Sequence, residues 1–385
     1  VFFEASVSSE QVLLEGTFEV SFTLRNSSGK DFEPPPFNNF QVLSGPNQAT
    51  RTTRINGRQS TEISISYILK PTQVGKFTIG PASVTLNTGR KRKTQPVSIE
   101  VLPGKSKAEA GKSPVAMLRA EPDRTEAYPG QQIILDCKIY VRSDYFKEGH
   151  QITKKPDLSG FYFEELNWYR SKKVILDGVE YTALNMARLA LFPQRTGEVE
   201  IDPLVILIDV QERNPSSRFG LVPLQRKRLE SDPVVIQVNP LPPGAPPSFT
   251  GAVGRFSFEA APNRTDLTTD DAVTLTLTIQ GDGDVKRVQI PSLTGVDTFD
   301  VFDPNIIAEQ MQDSRRGRIN GIKSIEYALT PKGPGNFQLP IAFTYFDIDS
   351  SAYITLTEGP YLLQVRPVDG SKTKVELPDA QVAES

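Results

Sequence analysis

One histidine, His150, and one cysteine, Cys137, are all the imidazole and thiol that this 385-residue chain contains. That count decides much of the chemistry. A Ser-His-Asp triad would have to run through His150, which stands in the polar stretch "YFKEGHQITKKP" and is expected to be a solvated loop residue. Zinc sites need three or four His or Cys ligands in most cases, and two residues cannot supply them. With one cysteine the monomer has no disulfide. Cys137 alternates with Leu135, Ile139 and Val141 in "IILDCKIYV", so it is expected to face a core, buried and reduced. A redox-sensing thiol would instead need exposure and a lowered pKa. There is no phosphate loop and no Gly-rich dinucleotide turn, so no cofactor is expected.

Two acidic clusters remain as candidates. Asp266, Asp270 and Asp271 lie in "TDLTTDD", and Asp282 and Asp284 in "QGDGDVK". Either would suit calcium, but neither has EF-hand spacing or a bidentate Glu at the right offset. Turn aspartates are the ordinary reading, and no metal site is assigned. Composition does not exclude a paired-carboxylate glycosidase, which would need a cleft between the carboxylates.

Basic clusters are the last feature: Arg90, Lys91, Arg92 and Lys93 in "TGRKRKTQ", and Arg226, Lys227 and Arg228 in "LQRKRLE". Each precedes a proline-bounded strand by a few residues. One reading is a charged edge that resists strand pairing. The other is docking onto an acidic partner or lipid headgroups. The formal net charge of −3 gives no general attraction to nucleic acid or anionic lipid.

These residues must be positioned by strands. "TFEVSFTLRN", "IILDCKIYVR" and "AVTLTLTIQ" alternate apolar and polar residues. No stretch of ten or more residues has helical spacing. The 31 prolines and 27 glycines fit many turns between short strands. "RING" occurs at Arg54–Gly57 and at Arg318–Gly321, and an Asp177-Gly178 pair stands between them. All three dipeptides, Asn56-Gly57, Asp177-Gly178 and Asn320-Gly321, are predicted to be hairpin turns. A longer match follows. Tyr67, Leu69, Pro71, Gly75 and Phe77 share their spacing with Tyr327, Leu329, Pro331, Gly335 and Phe337, and Pro193, Gly197 and Val199 form a third copy. A second block, "PVSIEVLP", "PVVIQVNP" and "PYLLQVRP", repeats from Pro96, Pro233 and Pro360.

The chain therefore reads as all-β, three tandem immunoglobulin-like sandwiches in an elongated array, over 1–103, 114–240 and 254–367. Residues 368–385 read as a disordered tail. "GKSKAEAGKS" (104–113) is expected to be a flexible linker, and "LPPGAPPS" (241–248) a stiff, extended spacer. The joint at 241–248 is expected to be the more rigid. Surplus residues in the middle repeat predict an elongated hairpin near 209–229.

"FEPPPFNNFQVLSGPNQAT" after "GTFEVSFTLRN", and "DLSGFYFEELNW" before "VILDGVEYTALNMARLALFPQRTGEVEIDP", resemble the BatD family, the oxygen-tolerance or Bacteroides aerotolerance family. The resemblance spans about residues 2–240 well and 254–367 more loosely. Ala49 and Thr50 stand where the family more often has Ser. The resemblance implies an exported protein, anchored in the inner membrane by a helix beyond the sandwiches. Its partners would be envelope proteins with von Willebrand A domains, in a stress or oxygen-tolerance complex. With no leader and no membrane-spanning run, the chain is expected to be the periplasmic ectodomain. The family offers no catalytic residues to carry over. The expected function is non-enzymatic protein binding, with the basic clusters as partner-binding residues. The alternative is a carbohydrate- or peptidoglycan-binding module using Tyr162, Trp168 and Tyr169, although Trp168 also suits a core position. A hydrolase is disfavoured by the histidine count.

Overall fold

In the computed structural model, residues 2–55, 58–167, 171–212, 223–313 and 317–368 are described. They are almost wholly β-structure, as the alternation predicts. The same antiparallel sheet is built three times. In the first repeat its order is Phe2–Val7, Phe18–Arg25, Arg58–Pro71, Phe40–Ile55. In the middle repeat it is Ala116–Pro122, Ile133–Arg142, Val179–Pro193, Phe161–Glu165, with Ser171–Leu176 also paired to Val179–Pro193. In the third it is Phe256–Pro262, Val273–Gly281, Ile319–Pro331, Phe299–Val301, with Asn305–Asp313 also on Ile319–Pro331.

The proline-bounded block lies in the facing sheet each time. Val97–Leu102, Val234–Val238 and Ala352–Arg366 each pair in parallel with a short strand, through Glu100–Gln11, Gln237–Glu126 and Gln364–Asp266. Buried side chains gather into three main clusters, one per repeat, led by Phe22 and Leu69, by Leu135 and Leu191, and by Leu277 and Phe343.

Register ties the repeats together more tightly than the motifs did. Phe40 stands opposite Pro71, Phe161 opposite Pro193 and Phe299 opposite Pro331. Each of these phenylalanines donates its N–H three residues back, to Phe37, Leu158 and Val296. The residue after each proline donates to the residue before the phenylalanine: Thr72 to Asn39, Gln194 to Gly160, Lys332 to Thr298. Gly75, Gly197 and Gly335, four places beyond the prolines, take φ of 143°, 97° and 154°, a region that side-chain-bearing residues avoid.

The turn dipeptides fare unequally. Asp177 and Gly178 have φ of 49° and 72° between paired Leu176 and Val179, the two-residue hairpin that was expected. Asn56-Gly57 falls outside the described residues, although Ile55 pairs with Arg58. Asn320-Gly321 is not a turn. Both residues lie inside the Ile319–Pro331 strand, with Gln312 opposite Asn320 and Met311 opposite Gly321. The chain reverses earlier, beyond the Asp313–Ile319 pair, where Gly317 has φ of 67°. Measured to the repeat proline, Gly57 is 71 − 57 = 14 residues away and Gly321 only 331 − 321 = 10, so the second "RING" is out of phase with the repeat. Gly321 is needed for space instead: a Cβ there would lie 2.6 Å from the Val285 methyls.

The 104–113 segment is not a free linker. It holds the helix α1, Lys107–Gly111, opened by a Ser106–Glu109 capping box. Arg142, 8% exposed, clamps its end by donating to the Ala110 and Ser113 carbonyls. Tyr181 donates to Pro114 O, and Ala110 packs on Tyr140 and Val179. The linker is thereby folded onto the middle repeat. The 241–248 segment also lies against a repeat, with Tyr353 donating to Pro242 O and Ser248 bonded to Thr344. Phe249–Gly254 then pairs with the Gly335–Asp347 strand, so sheet pairing starts before residue 254. The surplus of the middle repeat pairs as Val205–Glu212 with Gln225–Glu230. The tip of that hairpin is outside the described residues.

Candidate interaction surfaces

The Ile133–Arg142 strand is buried on both faces, unlike its counterparts. Its inner face is core. Part of its outer face meets the third repeat. Ile134, Ala190 and Phe192 pack with Ile319, and Tyr162 and Met311 complete the cluster. By register the same outer positions hold Glu19, Ile68 and Lys70 in the first repeat, and Thr274, Ala328 and Thr330 in the third. Of the three, the middle sheet alone presents two large apolar side chains at these positions, and it is the one that is covered.

Polar groups fasten the contact. Gln132, 3% exposed, donates to the carbonyls of Asp282 and Ile319 at 2.7 and 2.9 Å and accepts from Ile319 N at 3.0 Å. Arg188 reaches Gly317 O at 3.0 Å while paired to Asp136 at 3.2 Å. Lys286 lies 4.6 Å from the Tyr162 ring centre and donates to its hydroxyl. Arg318 pairs with Asp123, and Tyr128 meets Phe346 edge-on. Sequence reasoning missed this joint because glutamine and arginine read as surface residues; the signal was the apolar "II" and "LF" where alternation called for polar residues.

The candidate chemical groups are mostly spent on structure. Cys137 is 2% exposed, between Leu135 and Ile139, and burial pushes its thiol up to about 11. That disfavours the thiolate a redox sensor needs. His150 is on a strand, not a loop: it lies in Tyr145–Lys154 opposite Ile208, with Nδ1 3.1 Å from Lys147 Nζ. Desolvation, then the Lys147 charge, lowers its pKa. Asp271 accepts from Thr268 N and Oγ1 and pairs with Arg264. Asp282 pairs with Arg255 at 2.7 Å. Asp284, 5% exposed, accepts from Gln194 Nε2 and Lys286 N, and burial raises its pKa. Among the described residues no group of three or more His, Cys, Asp and Glu is placed to hold a metal.

The basic clusters sit on edge strands, except Arg90, which stands just before one. Lys91–Lys93 ends the sheet ordered Gly29–Glu33, Ser83–Leu86, Lys91–Lys93, and Gln225–Glu230 ends the sheet of Tyr145–Lys154 and Val205–Glu212. Part of their charge is answered: Lys91 by Glu33 at 2.8 Å, Arg226 by Asp209 at 2.8 Å, Arg228 by Glu230 at 2.6 Å. Arg90, Arg92 and Lys93 are exposed. Of the candidate carbohydrate-binding aromatics, Tyr162 is taken up by the joint, stacked on Phe192, and Trp168 and Tyr169 are outside the described residues.

The chain is thus a set of sandwich repeats, the middle and third joined by a packed contact, and Cys137, Asp271, Asp282 and Asp284 are buried or bonded within it. The BatD DUF11-like domain model matches residues 5–101 and 260–357, and the chain belongs to the BatD family. The match leaves out the middle repeat. No curated protein matches. Solved structures of low similarity include the fibronectin(III)-like modules of Clostridium thermocellum CbhA (10% identity, 61% of this chain, 94% of that chain, TM-score 0.18). Invasin, a bacterial integrin-binding protein, has 14% identity over 96% of this chain and 60% of that one, with a TM-score of 0.18. Titin domains I67–I69 have 11% identity over 95% and 98%, with a TM-score of 0.16. TM-scores of this size carry no residue correspondence.

Proposed function

We propose that the chain is a non-enzymatic scaffold of the cell envelope, the periplasmic ectodomain of a membrane-anchored protein. Its partners are von Willebrand A domain subunits of a stress or oxygen-tolerance complex. The observation that carries the reading is where the polar groups are used. Cys137 is buried in core, Asp271, Asp282 and Asp284 are bonded within the chain, and Lys91, Arg92 and Lys93 are exposed on an edge strand. The setting and the partner class are what the BatD resemblance implies, and are proposed on that ground.

The basic edges are the steering surface in this reading. Exposed charge raises association rates and is screened beyond about 10 Å at 0.1 M salt. Replacing Arg90, Lys91, Arg92 and Lys93 by Ser should slow capture of a von Willebrand A subunit at low salt and flatten its salt dependence, with the fold intact. Wild-type capture rates in that variant would reduce the cluster to edge protection. Turnover of a glycan or peptide by the purified chain would end the non-enzymatic reading.

A further inference from the structure

The middle repeat is not closed. A cavity of ≈ 640 Å³ opens between the sheet of Ile133–Arg142, Val179–Pro193 and Phe161–Glu165 and the end of the Tyr145–Lys154 strand. Close-packed interiors hold few voids larger than one water molecule, whereas ligand sites run from about 300 to 1,000 Å³. The floor is core: Cys137, Phe161, Leu189 and Leu204. The lips carry apolar side chains turned to solvent, Ile152 at 43% and Phe163 at 42% exposure.

Two sheet edges border it. Among the described residues Tyr145–Lys154 pairs only with Val205–Glu212, and Phe161–Glu165 only with Val179–Pro193. An edge strand turns alternate N–H and C=O groups away from its partner. The first edge is interrupted by irregularities at Lys147/Gly149 and Ile152/Lys154; the second pairs without a break. A pairing-competent edge therefore stands beside an open apolar floor.

Charge narrows the occupant. The rim carries Lys155, Asp157 and Glu165, and the Arg188 beside them is already paired with Asp136. A mouth of mixed sign, with its guanidinium already spent, offers no matched cluster to a charged guest and fits a neutral one. The cavity is also continuous with the joint to the third repeat, because Leu166 and Arg188 belong to both.

From this geometry we infer that the cleft takes an extended, uncharged segment of a partner protein. The segment adds as a strand to the Phe161–Glu165 edge, and its alternate apolar side chains enter the cavity. The inference rests on the reading of the chain as an interaction protein and names a surface for it.

The probe is a short blocked peptide of alternating valine and threonine, added to the whole chain. Hydrogen exchange should slow at Phe163 and Glu165, whose N–H groups face away from Val179–Pro193. Phe163→Asp, at an exposed position, should keep the fold by circular dichroism and weaken peptide binding at least about tenfold. Val301→Asp, at the equivalent place in the third repeat, should leave binding unchanged. Absence of protection at Phe163 and Glu165, or equal loss in both variants, overturns the cleft. Dimerisation of the chain that Phe163→Asp abolishes also overturns it, in favour of a second copy. Capture of a von Willebrand A subunit, measured separately on Phe163→Asp, distinguishes the two readings: retained capture leaves the scaffold standing with its surface elsewhere.

Discussion

Phe40 and Pro71 face each other across an antiparallel ladder, and the pair recurs as Phe161 with Pro193 and Phe299 with Pro331. The proline lacks a donor, so it suits the last rung of a strand. The phenylalanine closes the end of the core. Phe40 meets Phe18 and Phe77 edge-on at 5.3 and 5.8 Å, and Phe299 meets Phe337 at 5.2 Å.

Truncating that ring should be costly in each repeat. Phe40→Ala and Phe299→Ala each remove a side chain at most 7% exposed, with an expected loss of about 3–5 kcal/mol. Denaturant titration would read it as an early transition confined to the first repeat for Phe40→Ala. A loss below about 1 kcal/mol would mean that the site collapses around the gap.

Gly321 makes a different demand. Gly321→Ala should cost about 1–3 kcal/mol from overpacking, because the Val285 methyls lie 2.6 Å from the new carbon. Adding Val285→Ala should recover part of that loss. Additive losses in the double variant would show that Val285 is not the obstacle.

These two sites mark how far the sequence could be read. The Pro and Gly positions are legible because strand ends and positive φ restrict residue type. Phe161 and Phe299 were not singled out, since a phenylalanine beside a strand is common and only register shows what it faces. Asn320-Gly321 misled because the dipeptide says where a turn is permitted, while tertiary space decided what glycine was for. The helix α1 escaped because Lys107–Gly111 is too short to show a period.

The joint between the middle and third repeats should report on Gln132. Gln132→Ala leaves the Ile319 N–H and two carbonyls without that partner, at about 1–3 kcal/mol for each group that stays unpaired. Calorimetry should show the two repeats unfolding together in the parent and separately in the variant. Unchanged coupling would move the hold to the Phe192 and Ile319 contact.

Asp284 should make the same joint depend on pH. Burial raises the Asp284 pKa above its ordinary 3.8, so the folded form keeps its proton after the unfolded form has lost it. Its contribution is full below about 3.8 and is lost as pH rises through the raised folded value. Asp284→Asn should flatten stability against pH in that window. A variant with the parent's slope would assign the dependence to another carboxylate.

The apolar patch of Ile134, Ala190 and Phe192, covered by Ile319, gives the array a fixed order. A freestanding middle repeat would show that patch to water and stick to its own kind. The first repeat, with Glu19, Ile68 and Lys70 at the matching places, has no comparable patch to offer a follower. The repeats share a frame but are not interchangeable beads, and a shuffled chain would lose its joint while keeping every strand.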